Sequence, residues 1–488
     1  MSTPSRITVP KDEFSADDFG FTFLTKLKAL FTAVQNSIIG YNAQLDAAED
    51  AASHAELAKQ QADRASAIVL APFSTIELYK LMNPLTHISG QRYDLSRVAG
   101  GVAFTNATAD RQYYNRYGQS ALAAANERCF TTRGEQLAPT FKNLLLQSAT
   151  HNNAAWTKDN VTILPSAGED TNGNLTLTRV TNSKGAVGAI RNTATGITND
   201  NLVKTAAVEL KADDATHIKV ELTLTGGATP VTQSVVIDLR ASVPQVLFGT
   251  PAFYKFDWQA NGVGVLHIGV QNNASGNTSA ILAVYPSVDP YEPDTTASAG
   301  SLYLGDTIVT DSAQPTPLAR TTTAQRTVQA DFLTFPTKDN FPPFDSAWTL
   351  VFNAYLNVPN ETTLLFNVAP TSLSGFSMAL IVEKAKSILF RFGEYGAFTD
   401  IRGGLTPGFN QIVVVHRNNQ IELYLNGVSA SYKKVGTYPM VKLDSVCSVM
   451  SQFNNSQHTA GTFVSADIHA YAASPDAIAA LYSSTYSE

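Results

Sequence analysis

The sequence predicts a mainly β protein, with an N-terminal helical coiled-coil stalk followed by two jelly-roll-like β-sandwich domains. Three observations carry that prediction. Near the N-terminus apolar residues recur in alternating steps of three and four, the periodicity of a coiled coil. From about Leu85 the pattern changes to short alternating segments punctuated by Gly, Asn and Pro, the texture of sandwich strands. Only 15% of the 488 residues are charged, against about 25% in an average soluble domain. Hydrophobic residues stay at 44%, so Thr, Ser, Asn and Gln have taken the place of charge.

The stalk comes first. Its seam runs through Leu24, Leu27, Phe31, Val34, Ile38, Tyr41, Leu45, Ala48, Ala52 and Ala55. Ser15-Ala16-Asp17-Asp18 reads as a cap that sets acidic residues at the positive end of the helix dipole, and Pro72 as the stop. Residues 1–19 are expected to be an extended anchoring peptide and 20–72 the stalk. From Leu24 to Val69 the rod would measure roughly 65–70 Å at about 1.5 Å per residue. No second long amphipathic helix follows to partner it, so the seam is expected to pair with copies of itself. Phe31 and Tyr41 fit a core wider than a dimer's.

Residues 73–140 read as a connector with short strands, 141–290 as the first sandwich, 291–330 as a linker and 331–488 as the second sandwich. Alternation marks strands at Leu175 to Val180, Ile218 to Leu224, Ser234 to Leu239 and Val263 to Val270. The linker rests on Pro286, Pro290, Pro293, Pro315 and Pro317 scattered among Thr, Ser and Ala. In the last block Gln411 to Arg417 and Gln420 to Leu425 flank Asn418-Asn419, a two-residue turn suited to positive φ. A short helix closes the chain, capped by Ser474 with Pro475 in its first position.

Composition excludes several partners. Lys and Arg number 34 against 41 Asp and Glu, a formal charge of −7 that offers no basic footprint for nucleic acid. No window reaches the 18 or so apolar residues of a membrane span, and the start, Met1 to Phe14, lacks the apolar stretch of a secretory signal. Cys129 and Cys447 lie too far apart in sequence to suggest a disulfide framework or a cysteine-based zinc site.

Catalytic chemistry finds few parts. Glycoside hydrolysis needs two carboxylates about 5–10 Å apart, and Glu221, Asp238, Glu394 and Asp400 stand singly among strands and turns, where each reads as a surface residue. His54, His87, His151, His217, His267, His416, His458 and His469 are dispersed without metal-ligand spacing, and His267 and His416 read as packed strand residues. There is no nucleophile elbow, P-loop or dinucleotide fingerprint. No catalytic, cofactor-binding or metal-binding residue is assigned, and the chain is expected not to be an enzyme.

Three stretches carry a resemblance. Leu95-Ser96-Arg97, Ala125 to Phe130 and Lys142-Asn143-Leu144-Leu145-Leu146-Gln147-Ser148, followed by Ala155-Trp156-Thr157-Lys158, resemble the lead-in of many bacteriophage spike, head-fibre and tail-fibre proteins. In that family a jelly roll similar to carbohydrate-binding modules follows. Gly408-Phe409-Asn410-Gln411 through Leu423-Tyr424-Leu425-Asn426-Gly427-Val428 resembles the paired central strands of laminin-G or concanavalin-like domains, with Phe409 where Trp is usual. The resemblance implies a virion component assembled in the host cytoplasm: a homotrimeric head or tail fibre or spike. Its N-terminus would dock on capsid, portal or tail proteins and its sandwiches would meet host-surface glycan, with no nucleic acid or membrane insertion. Such sandwiches often carry a structural calcium, so that ion stays open. A glycan-degrading spike and a purely architectural decoration or joining protein are the alternatives.

Sugars present flat C–H faces to aromatic rings while polar side chains satisfy their hydroxyls. The glycan-contact candidates are therefore Trp156, Trp258, Trp348 and Tyr395, although a sandwich tryptophan is more often a core residue. Phe398 and the Asn-rich run Phe453 to His458 are alternatives of the same kind.

Overall fold

In the computed structural model the described residues are 80–485, apart from 92–95, 184, 242–243, 245, 357–361, 371–376, 384–385, 395–396, 437–444 and 452–458. The anchoring peptide, the capping motif, the heptad seam and the stalk all lie outside them, as do Tyr395 and Phe453 to His458. What is described is mainly β, and every strand pair is antiparallel.

The first sandwich stacks two six-stranded sheets. One runs, edge to edge, Phe253–Trp258, Val263–Gln271, Val203–Ala212, Gly300–Thr310, Leu175–Asn182 and Val161–Glu169. The other runs Val246–Phe248, Val231–Asp238, His217–Thr225, Ser279–Tyr285, Ala189–Thr195 and Trp156–Asp159. Alternation sorts each strand between its two faces. In Val263–Gln271, Leu266, Ile268 and Val270 enter the shared core with Val208, Val220, Leu222 and Leu282. Fully burying one such side chain stabilises the fold by about 1.5–3 kcal/mol.

The expected linker is corrected here. Gly300–Thr310 is an eleven-residue central strand of the first sandwich, and Arg326–Val328 is a further strand. Two things hid it. A bulge where Val208 and Leu210 face Thr307 and Leu304 breaks its two-residue period. Its outer face is also covered, with Ile308 packed among Phe141, Leu318 and Ala319, so no residue of the strand is exposed to mark a solvent face.

The second sandwich is likewise built of two sheets. The larger runs Val428–Lys434, Gln420–Leu425, Gly408–Arg417, Trp348–Leu356, Gly461–His469, Gly134–Leu137 and Phe130–Thr131, with Thr86–Ser89 also paired to Gly461–His469. The smaller runs Ala103–Thr105, Phe332–Pro336, Ser445–Val449, Thr363–Pro370, Met378–Glu383, Ser387–Glu394 and Ala397–Gly404. Asn418 and Asn419 have φ of 48° and 59°, the turn the sequence demands between Arg417 and Gln420. Ser474 Oγ accepts from the Ala477 N–H at 3.3 Å, capping helix Pro475–Thr485, whose Ala477 and Ile478 pack on Val351, Val413 and Val415.

The connector needs the same correction as the linker. Thr86–Ser89, Ala103–Thr105, Phe130–Thr131 and Gly134–Leu137 are strands of the second sandwich, with Ile88 and Leu137 in its core. The first sandwich is thus an insertion within the second, and the chain passes between them twice. Phe141–Asn143 going out pairs with Arg326–Val328 coming back. Asn143, fully buried, locks this neck: its Nδ2 donates to Thr307 O at 3.0 Å and Ala319 O at 2.7 Å, and its Oδ1 accepts from Leu145 N–H at 3.1 Å. The residues from Lys80 onward form one compact unit.

Candidate functional site

A cleft of about 170 Å³ opens where the sandwiches meet. Its floor is the edge of the first sandwich. Strand pairing sets Lys255 opposite His267, Asp257 opposite Val265 and Trp258 opposite Gly264. Phe256 and Leu266 turn into the core, so their neighbours Lys255, Asp257 and His267 turn outward into the cleft. The facing wall is the hairpin Phe130–Leu137 of the second sandwich, contributing Thr131, Thr132, Arg133 and Gln136, and Pro315-Thr316-Pro317-Leu318 closes one side. Gly134, at φ +142°, fixes that hairpin: a Cβ there would lie 2.3 Å from Phe463 O.

The charged side chains of the cleft form one triad of two cations on a single carboxylate, which leaves one net positive charge. Arg133 donates to Asp257 Oδ1 at 2.9 Å and Lys255 to Oδ2 at 2.8 Å. Burial works against the Asp257 carboxylate, but Lys255 and then Arg133 outweigh it and hold it below the usual range. His267 is only 8% exposed. Burial, with Lys255 adding to it, pushes its imidazole down to about 4, so it is neutral at physiological pH. Its Nε2 sits 3.1 Å from the Thr316 carbonyl oxygen. A carbonyl only accepts, so Nε2 carries the hydrogen and Nδ1 the lone pair.

The aromatic candidates separate. Trp258 ends the edge strand, 37% exposed, lines the cleft and packs edge-on against Phe256 at 4.8 Å. Trp156 and Trp348 are corrected: both are buried and present no face to a ligand. Trp156 Nε1–H donates to Gln147 O at 2.8 Å in the first core, and Trp348 stacks on His416 at 5.6 Å in the second. The Phe398 ring lies under the Arg391 guanidinium at 5.0 Å.

Three of the four candidate carboxylates are taken up by cations of their own, and the Glu394 side chain lies outside the described residues. Glu221 pairs with Lys219 at 2.7 Å, Asp238 with Arg240 at 3.2 Å and Asp400 with Arg391 at 2.8 Å. One buried pair escaped the sequence: Glu209 and Asp306, beside a cavity of about 40 Å³. Tyr114 Oη donates to Glu209 Oε1 at 2.9 Å, the Asp306 N–H donates to Oε2 at 2.9 Å, and Arg320 grips Asp306 at 2.8 and 3.0 Å. Burial first, then Asp306, raises the Glu209 carboxyl well above its ordinary range. With its oxygens held by protein donors, the pair fastens the hairpin of Arg111–Tyr114 and Ser120–Ala123 onto the first sandwich. Among the described residues no three His, Cys, Asp or Glu side chains gather to hold a metal.

No family model matches the sequence, and no curated protein matches it. Partial likenesses to solved structures exist. The carbohydrate-binding module (CBM40) of the Ruminococcus gnavus IT-sialidase, bound to α2,3-sialyllactose, is 13% identical over 28% of this chain and 83% of its own, with a TM-score of 0.26. The botulinum neurotoxin serotype D binding domain is 14% identical over 32% of this chain and 40% of its own, with a TM-score of 0.27. The binding domain of Paraclostridial mosquitocidal protein 1 is 12% identical over 32% of this chain and 44% of its own, with a TM-score of 0.25. At that level of likeness the site rests on its own geometry.

Proposed function

We propose that the protein is an attachment fibre of a bacteriophage virion, and that the cleft beside Trp258 takes a cell-surface glycan without cleaving it. The observation that carries the reading is the placement of the exposed tryptophan. Trp258 borders a cleft lined by Gln112, Gln136, Thr131 and Thr462, so an exposed aromatic residue stands at the rim of a set of hydrogen-bonding groups. Sites for drug-sized ligands run to about 300–1,000 Å³, so this cleft suits one sugar ring with the rest of the ligand outside. The virion role, the trimer and the N-terminal dock on capsid or tail rest on the sequence resemblance and the heptad seam.

Weak sites suffice for such a device. A millimolar contact is worth about 4 kcal/mol. Three copies on one stalk, and several stalks on one particle, raise apparent affinity by about 10²–10⁴-fold with no new contact.

The test is adsorption of labelled full-length protein to a panel of bacterial strains, with light scattering for its assembly state. A trimer that adsorbs to glycan-bearing strains, loses adsorption on Trp258→Ala and leaves the surface polysaccharide at its original length supports the reading. A monomer, an unaffected Trp258→Ala variant or shortened polysaccharide chains would overturn its respective part.

A further inference from the structure

The cleft is positive on a chain that is not. Of its lining side chains only Arg133, Lys255 and Asp257 carry charge, since burial keeps His267 neutral and raises the Tyr113 and Tyr114 phenols. Two cations on one carboxylate leave a single positive charge there, against −7 over the whole sequence. At physiological ionic strength exposed charges more than about 8 Å apart are largely screened. A ligand in the cleft therefore meets the local charge and not the distant excess of acid.

Both cations keep donors that the protein leaves unused. Arg133 reaches Asp257 through Nη1, and its Nε and Nη2 have no hydrogen-bond partner among the described residues. That edge lies across the guanidinium carbon from Nη1, and so away from Asp257. It is also an edge that takes a carboxylate by two parallel bonds. The side chain is 53% exposed, so a ligand can reach it, while Asp257 and the Tyr355 ring at 5.4 Å hold it in place. Lys255 uses one of its three ammonium hydrogens on Asp257 Oδ2 and is itself 32% exposed. Exposed arginines are common on any surface. Arg133 differs in bordering a concave site of about 170 Å³ with Thr131 and Gln136 on its own hairpin, room for one ring and the carboxyl it carries.

We propose that the Nε–Nη2 edge of Arg133, with the charge of Lys255 beside it, receives the carboxylate of an acidic sugar. The cleft accordingly selects surface polysaccharide bearing hexuronate or sialate over neutral chains. This rests on the attachment reading above and deepens it, and the test separates the two.

The full-length protein is screened on a printed array of hexuronate, sialylated, phosphorylated and neutral oligosaccharides. The best-bound carboxylated compound is then titrated by calorimetry beside its carboxyl-reduced form, in which a primary alcohol replaces the carboxylate. Wild type is expected to select carboxylated chains, the array telling hexuronate from sialate, and to lose about tenfold on carboxyl reduction. Arg133→Gln should bind the acid about tenfold more weakly than wild type does, with no further loss on the reduced form. Because the reduced ligand is tested on the unaltered protein, that arm does not depend on how the variant folds. Preference for neutral chains, equal binding of acid and alcohol, or selection of phosphorylated compounds alone overturns the carboxylate assignment and leaves the attachment reading standing. An Arg133→Gln variant that binds the acid like wild type overturns the assignment to Arg133. If wild type binds no glycan, or Trp258→Ala binds unchanged, the attachment reading itself falls.

Discussion

Arg133 of the second sandwich and Asp257 of the first meet at 2.9 Å across the cleft, far apart in the chain yet joined because the first sandwich is inserted within the second. Asp257 is the shared partner of Arg133 and Lys255, so one carboxylate both ties the sandwiches together and offsets half of the positive charge in the cleft.

That tie is half exposed, with Arg133 at 53%, and exposed ion pairs contribute little. Arg133→Ala is expected to change stability by no more than about 1 kcal/mol, measured by denaturant unfolding.

The neck is a different matter. Asn143 is fully buried and its amide serves carbonyls on both returning segments, Thr307 and Ala319. Asn143→Leu strips partners from buried backbone groups and should cost about 2–4 kcal/mol. Because the neck couples the sandwiches, calorimetry should show the single transition split in two.

Arg128 and Glu135 form a buried two-point pair at 2.8 and 2.6 Å, and Arg128 also donates to Ser89 O at 2.9 Å, so the strands of the former connector are tied to one another. Arg128→Met leaves the Glu135 carboxyl without its partner and is expected to destabilise by about 3–5 kcal/mol. The double variant Arg128→Met with Glu135→Leu should recover most of that loss, since removing both charges also removes their desolvation. Chemical denaturation of the three proteins checks the cycle.

Acid should weaken the fold through its buried histidines. His151, wholly buried with both ring nitrogens unpartnered and its ring 4.8 Å from Trp156, is pushed by burial from an ordinary 6.5 down to about 4. The unfolded chain therefore takes up the proton first as pH falls. Stability is full above about 6.5 and drops between there and about 4, by up to about 3 kcal/mol for this one group. His469, also lowered to about 4 by burial, acts in the same direction. His151→Leu should flatten the fall of melting temperature over that window.

Local patterns made much of the fold legible. Period-two alternation located the strands around Leu175, Ile218 and Val263, and the Asn418-Asn419 turn and the Ser474 cap could be read because each depends on residues a few positions apart. The insertion was not legible. Nothing near Thr86 or Gly134 says that its partner strand is Gly461–His469, since that pairing is decided by distant packing. The cleft was half visible. Lys255-Phe256-Asp257-Trp258 alternates charge and aromatic ring on one strand, an available hint, but Arg133 and Thr316 come from segments that only the fold brings to it. Trp156 and Trp348 misled because aromatic type alone does not tell a core residue from a platform: Trp156 is buried although its strand lies at a sheet edge, as Trp348 is at a sheet centre.

The most direct measurement is a structure of the full-length protein with its best-bound oligosaccharide. The account predicts a sugar ring packed on Trp258, with the chain entering the cleft between Phe253–Trp258 and the Phe130–Leu137 hairpin. A sugar seated on another face, with the cleft left to water, would contradict it.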